Sequence, residues 1–315
     1  MYILKLKPAF KDYLWGGTRL RDDYGFDSTL EKLAEGWMLS CHKDGENTIE
    51  NGKFEGQTLS DVVKANPEFL GIHGNNFEYF PILIKLIDAK NDLSVQVHPD
   101  NDYALRVEKE YGKTECWYIL DCDEGAELIY GFNREISSEE FKQRIEDNTF
   151  LDTVNKVKVK KGDLFFIEAG TLHAIGKGIF LAEIQQNSNS TYRVYDYGRL
   201  GADGKPRPLH IDKAIDVTKC TPPDRGTDPE GEEIKCDGYT KQLLTKCDLF
   251  HVERIQIEKN YVSVADEKSF VSVLVTDGSG EIEGMKIKKG DSLFIPANYG
   301  KFEITGNIDL IMTRV

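Results

Sequence analysis

No stretch of this 315-residue chain approaches the roughly 20 consecutive apolar residues of a membrane-spanning helix, so no membrane anchor is expected. The start, Met1-Tyr2-Ile3-Leu4-Lys5-Leu6, alternates as a strand does and lacks the apolar core of a secretory leader. Cysteine is sparse: Cys41, Cys116, Cys122, Cys220, Cys236 and Cys247 form no C-x-x-C pair and no dense framework. That spacing excludes a zinc knuckle and a disulfide scaffold and leaves buried free thiols as the expectation. Positive charge is also short, with 40 Lys and Arg against 54 Asp and Glu and a net charge of −14. A nucleic-acid partner is therefore not expected, and no helix-turn-helix pattern points to a regulator. An anionic ligand would have to be met by a local cluster of Lys and Arg. The expected compartment is the cytoplasm.

What the chain does have is strand. With 40% hydrophobic residues it can bury a sizeable core, in one large or two ordinary domains. An internal echo favours two similar β-units: Lys161-Gly162-Asp163-Leu164-Phe165-Phe166-Ile167-Glu168-Ala169 returns 128 residues later as Lys289-Gly290-Asp291-Ser292-Leu293-Phe294-Ile295-Pro296-Ala297. On that register His173 falls on Lys301, so the second unit is expected to hold no metal. Helical patterns appear near 58–70, where Thr58 or Ser60 caps an apolar stripe, and near 137–154, where Ser137 precedes Glu139 and Glu140. Residues 221–233, rich in proline, glycine and acid, read as a linker. The expected organisation is a metal-binding unit over 1–220 and a second β-unit over 234–315.

The most informative segment is Leu93-Ser94-Val95-Gln96-Val97-His98-Pro99-Asp100. A period of two sends Ser94, Gln96 and His98 to one face and Val95 and Val97 to the other, and the proline stops the strand at the imidazole. In Gly112-Lys113-Thr114-Glu115-Cys116-Trp117-Tyr118-Ile119, the same alternation places Glu115 with Trp117 and Ile119, where an unpaired carboxylate would be costly unless it met a cation or Lys113. A second imidazole-bearing turn, Glu168-Ala169-Gly170-Thr171-Leu172-His173, closes the first copy of the repeat. Each histidine alone is more often a hydrogen-bonded structural residue, and glutamine is not among the usual zinc ligands. The combination of two histidines and a carboxylate on β-rich segments beside glycine or proline turns points to a metal at a barrel mouth.

The turn Gly162-Asp163 to Gly170-Thr171-Leu172-His173 resembles the cupin family, with Glu168 where the cupin pattern prefers proline; the second copy keeps Pro296 and lacks the histidine. Within the cupins the chain is similar to the short bacterial form of type I mannose-6-phosphate isomerase. The resemblance runs through Trp15-Gly16-Gly17, Gly36-Trp37-Met38-Leu39-Ser40, Asn66-Pro67-Glu68-Phe69-Leu70-Gly71, Ser94 to Asp100, Gly112 to Glu115, and His173. It implies a mainly β fold of two cupin-like jelly-roll units with a small helical insertion. It also implies one Zn²⁺ per chain on Gln96, His98, Glu115 and His173, which raises Gln96 from a doubtful ligand to an expected one. In Glu183-Ile184-Gln185-Gln186-Asn187-Ser188-Asn189-Ser190-Thr191-Tyr192-Arg193, the acid and the arginine match the family's catalytic segment, and Lys113 matches the lysine before the glutamate ligand.

The implied chemistry is aldose–ketose isomerisation of a sugar phosphate through a cis-enediol(ate), by proton transfer between C1 and C2. Arg193, Glu183 and Lys113 are the expected catalytic residues, with Glu183 preferred as the base because a metal-bound His98 is a poor one. Ser94, Arg199 and Trp15 are the expected substrate-binding residues, and Ser94, Lys113 and Arg199 the expected phosphate contacts. Two other readings are an Fe(II) dioxygenase on a two-histidine, one-carboxylate triad, which needs Gln96 off the metal, and a non-catalytic sugar-binding cupin.

Overall fold

A computed structural model describes residues 1–201 and 204–315. Two antiparallel sheets build the first unit. One runs in the order Leu164–Ile167, Glu115–Cys122, Ile179–Gln186, Ile82–Ala89, Glu35–Leu39, Ala9–Lys11; the other runs Tyr192–Tyr195, Val95–Val97, His173–Ala174, Glu127–Phe132, Val154–Lys158. Their inner faces close on one apolar cluster that includes Ile87, Trp117, Ile119, Leu128, Tyr130 and Phe165. The alternation expected of Glu115 to Ile119 is observed: Trp117 and Ile119 enter this interior, whereas Cys116 and Tyr118 pack on the opposite face of the sheet. Val95 and Val97 likewise point away from the interior, into a cluster with Phe132, Phe141 and Phe150. The two faces of these strands therefore serve different purposes, one for packing and one for the site.

The second unit is a ten-stranded sheet wrapped around Ile255, Val273, Val275, Leu293, Phe302, Ile304 and Leu310. It begins with Ile234–Cys236 and ends with the long strand Gly300–Arg314. The first strand of the chain, Leu4–Lys7, belongs to this sheet, with Leu4 opposite Phe294 and Leu6 opposite Ser292. The two units are also sealed by a shared core in which Phe80 stacks on Phe270 at 5.5 Å and Phe270 on Phe294 at 4.9 Å. A cut at 221–233 thus separates strands that are hydrogen-bonded to each other.

The repeat is a structural one. Gly162 and Gly290 adopt φ of 95° and 91°, a region open to glycine, and Asp163 and Asp291 each accept a 2.9 Å hydrogen bond from a backbone N–H three residues earlier. In the first unit Ile167 lies opposite Glu115 and His173 opposite Gln96. The matching pairs of the second unit are Ile295 with Val271 and Lys301 with Val264. The positions of Glu115 and Gln96 are therefore held by valines as well as that of His173 by a lysine, which leaves the second unit without donors there.

Helices fill the gaps in the pattern. Leu59–Ala65 starts on Thr58, whose side chain accepts from the Asp61 N–H, and Ser138–Glu146 starts on Ser137, which accepts from the Glu140 N–H. The second helix is shorter than the 137–154 pattern suggests. It ends at Glu146, Asn148 turns with φ of 57°, and Val154–Lys158 is already a strand pairing with Glu127–Phe132.

Candidate active site and metal centre

One row of side chains crosses the six-stranded sheet. Trp37, Lys85, Glu183, Trp117 and Phe165 stand directly opposite one another on successive strands, and so share the face that lines the barrel interior. Two charges in an apolar row are stable only when each is answered. Lys85 Nζ lies 3.0 Å from Glu183 Oε1 and 3.7 Å from Glu35 Oε2, while the Trp117 indole donates to Glu183 Oε2 at 2.9 Å. Burial by itself would raise the Glu183 carboxyl, but Lys113 and Lys85 outweigh it and hold Glu183 at about 2. It is an anion at neutral pH.

Beside this row His98, Glu115 and His173 converge, with one donor atom from each inside a 4.8 Å span and all three buried. Backbone ties set the approach. The Gly170 N–H donates to the His98 carbonyl at 2.8 Å, and the Lys113 N–H donates to the Pro99 carbonyl at 3.0 Å, so all three segments meet at one end of the barrel. Gly112 is required there, since a Cβ would come within 2.4 Å of the Asp100 carbonyl carbon.

These residues fit a cation. His98 Nδ1 donates to the Ser190 carbonyl and His173 Nδ1 to the Thr171 carbonyl, both at 2.8 Å. A carbonyl can only accept, so each ring carries its hydrogen on Nδ1 and turns a lone pair outward from Nε2. Those two Nε2 atoms are 3.2 Å apart, and Glu115 Oε1 nearby is buried without a hydrogen-bond partner. Two lone pairs and a bare carboxylate oxygen facing one point are mutually repulsive unless a positive ion sits among them. Burial, then the charge of Lys113, drives the His173 imidazole down to about 3, which keeps it neutral and ligand-competent. Glu115 is pushed upward by burial and by the Glu183 charge. The Gln96 amide lies against both rings, Nε2 being 3.5 Å from His98 and 3.4 Å from His173. Turning that amide over presents its oxygen to the same point.

A cavity of about 290 Å³ adjoins this cluster through Gln96 and Lys113, and is lined as well by Glu183, Lys85, Trp15, Ile87, Leu93 and Ile175. Ser94 and Arg193 line it as well, and Arg193 Nε donates to Ser94 Oγ at 3.2 Å. Two imidazoles, a carboxylate and an amide beside a small polar cavity are a donor set for a metal ion with room for a small polar ligand.

Comparison with known proteins identifies the family. Residues 3–129 match the model of the phosphomannose isomerase type I catalytic domain, and residues 239–315 match the mannose-6-phosphate isomerase cupin domain. A probable mannose-6-phosphate isomerase of Bacillus subtilis is 41% identical over 99% of this chain and 98% of its own length. The mannose-6-phosphate isomerase of Streptococcus mutans is 38% identical over 99% and 98%. The chain belongs to the type I mannose-6-phosphate isomerase family. The crystal structure of a Bacillus subtilis mannose 6-phosphate isomerase superposes with a TM-score of 0.93 at 37% identity over the whole of both chains. A structure from Archaeoglobus fulgidus, at 20% identity and a TM-score of 0.76, shares the fold.

For a member of the mannose-6-phosphate isomerase family, two of the expected ligand contacts sit apart from the others. Arg199 is not among the residues that line the cavity: its guanidinium contacts Asp196 and the Asp92 carbonyl and lies over Tyr197 at 5.2 Å. Arg207, which the sequence reading missed, lines it together with Arg193, Lys85 and Lys113. Lys113 lines the cavity and lies 3.2 Å from His98 Nε2, in contact with Glu115 and 3.7 Å from Glu183. Lys85 and Glu35 were missed too. Lys85 was legible: a lysine in the middle of Ile82-Leu83-Ile84-Lys85-Leu86-Ile87 has no reason to be in a buried strand unless an anion answers it. Glu35 precedes Gly36-Trp37 on a strand buried throughout and carries the same signal more weakly.

Proposed function

We propose that this chain interconverts mannose 6-phosphate and fructose 6-phosphate, with one Zn²⁺ held by Gln96, His98, Glu115 and His173. The observation that supports the reading is an ionised, buried Glu183 lining one cavity together with Gln96, whose amide lies against both imidazoles of the neutral-imidazole cluster. A zinc ion bound there supplies Lewis acidity toward the oxygens of an open-chain sugar.

The remaining work falls to the side chains. Glu183 takes the weakly acidic proton from the carbon beside the carbonyl and returns it to the neighbouring carbon, which interconverts aldose and ketose through a cis-enediol(ate). Its basicity is set by its two lysine neighbours. When Lys85 or Lys113 turns a hydrogen bond toward a substrate oxygen, less of its charge is left to stabilise the carboxylate, and the carboxylate becomes a better base at the moment a base is required. Arg193 opposes the negative charge that develops on the enediolate. Trp15, Ile87, Leu93 and Ile175 exclude water from the carbon chain and hold the reacting carbons in place. Placement of the enzyme in the cytoplasm accords with a sugar phosphate as substrate.

The position of the Gln96 amide against both imidazoles favours this reading over an Fe(II) dioxygenase, whose triad needs that side open. The test is an isomerase assay on mannose 6-phosphate under argon, paired with measurement of bound metal. Turnover independent of oxygen, proportional to zinc content, is expected. Turnover that requires oxygen and iron would overturn it.

A further inference from the structure

Charge does not balance beside Arg193 and Arg207, which line the cavity. Arg193, Arg199 and Arg207 gather there, and among the described residues their only carboxylate partner is Asp196, which is buried. Asp196 is shared. Arg199 contacts one of its oxygens, and Arg207 grips both, Nε donating to Oδ2 at 2.7 Å and Nη2 to Oδ1 at 2.5 Å. Arg193 has no carboxylate partner among the described residues; its hydrogen bonds go to Ser94 Oγ and, from Nη1, to the Pro208 carbonyl at 2.9 Å. Burial and the nearby Arg207 charge both weaken the hold of Arg193 on its proton. Two guanidiniums lining one small cavity, Arg193 without a carboxylate partner among the described residues and Arg207 with one that it shares with Arg199, constitute a site for an anion.

We infer that Arg207 is the specificity-determining residue that recognises the phosphate of the substrate, and that Asp196 is the positioning residue that aims it. The inference rests on the reading of this chain as a sugar-phosphate isomerase. Asp196 takes up the Nε and Nη2 edge of the Arg207 guanidinium and so fixes its plane, while Nη1 has no hydrogen-bond partner among the described residues. Pro206 and Pro208 flank the arginine and restrict its backbone, and Pro206 is itself held by an antiparallel bridge to Leu200. Arg199 lies behind Asp196, outside the cavity, and completes the clasp without reaching the ligand. A dianionic phosphate fits this arrangement better than a carboxylate does, because two like charges are otherwise left facing each other in a partly buried space.

The experiment uses the metal-loaded full chain. Arg207→Ala, Arg207→Lys, Asp196→Asn and Arg199→Ala are compared with the parent for kcat/KM on mannose 6-phosphate and on unphosphorylated mannose. Binding of inorganic phosphate is measured directly by calorimetry, and circular dichroism verifies folding. For Arg207→Ala the expected result is a loss of at least about 30-fold on mannose 6-phosphate, carried by KM, with turnover of mannose retained and phosphate binding weakened to match. Arg207→Lys keeps the charge but not the fork and should fall between. Asp196→Asn should raise KM for the phosphorylated substrate while leaving mannose unaffected, and Arg199→Ala should keep phosphate binding. Equal losses on both sugars, or phosphate binding unchanged in folded Arg207→Ala and Arg207→Lys, would overturn the assignment. A parent that binds phosphate through Arg207 but does not isomerise mannose 6-phosphate would sink the proposed function and leave the anion site standing.

Discussion

Lys85 and Glu183 stand opposite each other on adjacent strands, with Nζ 3.0 Å from Oε1 inside the barrel. A buried pair of this kind is costly to break and inexpensive to replace as a unit, because a lone charge in the interior retains its desolvation penalty. Lys85→Met should therefore destabilise the fold by about 3–5 kcal/mol, and Glu183→Gln by a similar amount, whereas the double substitution should cost less than the sum. Urea unfolding of the three variants reads the coupling. Additive losses would mean that the two charges are answered elsewhere, by Glu35 and Lys113.

Removal of a metal ligand should empty the cluster. His98→Ala, His173→Ala and Glu115→Ala are each expected to lose bound zinc and turnover together, and Gln96→Ala to lose less of both, since a neutral amide is the weakest donor of the four. Elemental analysis of purified protein checks this. His173→Ala with a full complement of metal would refute the ligand set.

Arg193 is assigned to charge that exists mainly in the transition state. Arg193→Ala should keep zinc content and the circular dichroism spectrum while kcat falls by roughly 100-fold. A rise in KM alone would instead place Arg193 with Arg207 at the phosphate.

The metal-free chain should be acid-sensitive in a defined window. Burial and then the Lys113 charge hold His173 down at about 3, and burial lowers His98 in the same direction, whereas an unfolded histidine titrates near about 6.5. As the pH falls through about 6.5 the unfolded chain takes up protons that the folded chain refuses. Stability present above that value is therefore lost progressively below it. The urea midpoint of metal-free protein should drop between pH 7.5 and pH 5, and His173→Gln should flatten that drop. A midpoint that holds or rises on acidification would contradict the neutral-imidazole assignment.

In the second unit, chemistry and packing should separate. Lys301 is exposed and pairs with Val264, so Lys301→Ala should leave zinc and turnover unchanged. Phe294 is fully buried and stacked on Phe270 at the seam between the units, and Phe294→Ala should cost about 3–5 kcal/mol. A folded, zinc-loaded Lys301→Ala protein that fails to turn over would show that this unit reaches the active site.

Local pattern carried much of this protein. Period-two alternation alone assigns Ser94, Gln96 and His98 to one face and Val95 and Val97 to the other, because successive side chains of a strand must diverge. The Gly-Asp turn of the repeat was legible for the same kind of reason: a positive φ and a carboxylate that caps its own turn are properties of a few consecutive residues. Other features depend on contacts that no short segment contains. Leu4–Lys7 joins the far sheet because its partner, Ser292–Ile295, arrives nearly 300 residues later and offers an unpaired edge. The helix after Ser137 stops at Glu146 because Val154–Lys158 is claimed by a neighbouring strand. Arg199 and Arg207 are equally plausible cations when read along the chain. Only the fold separates them, since one buried carboxylate, Asp196, takes both, and of the two only Arg207 lines the cavity.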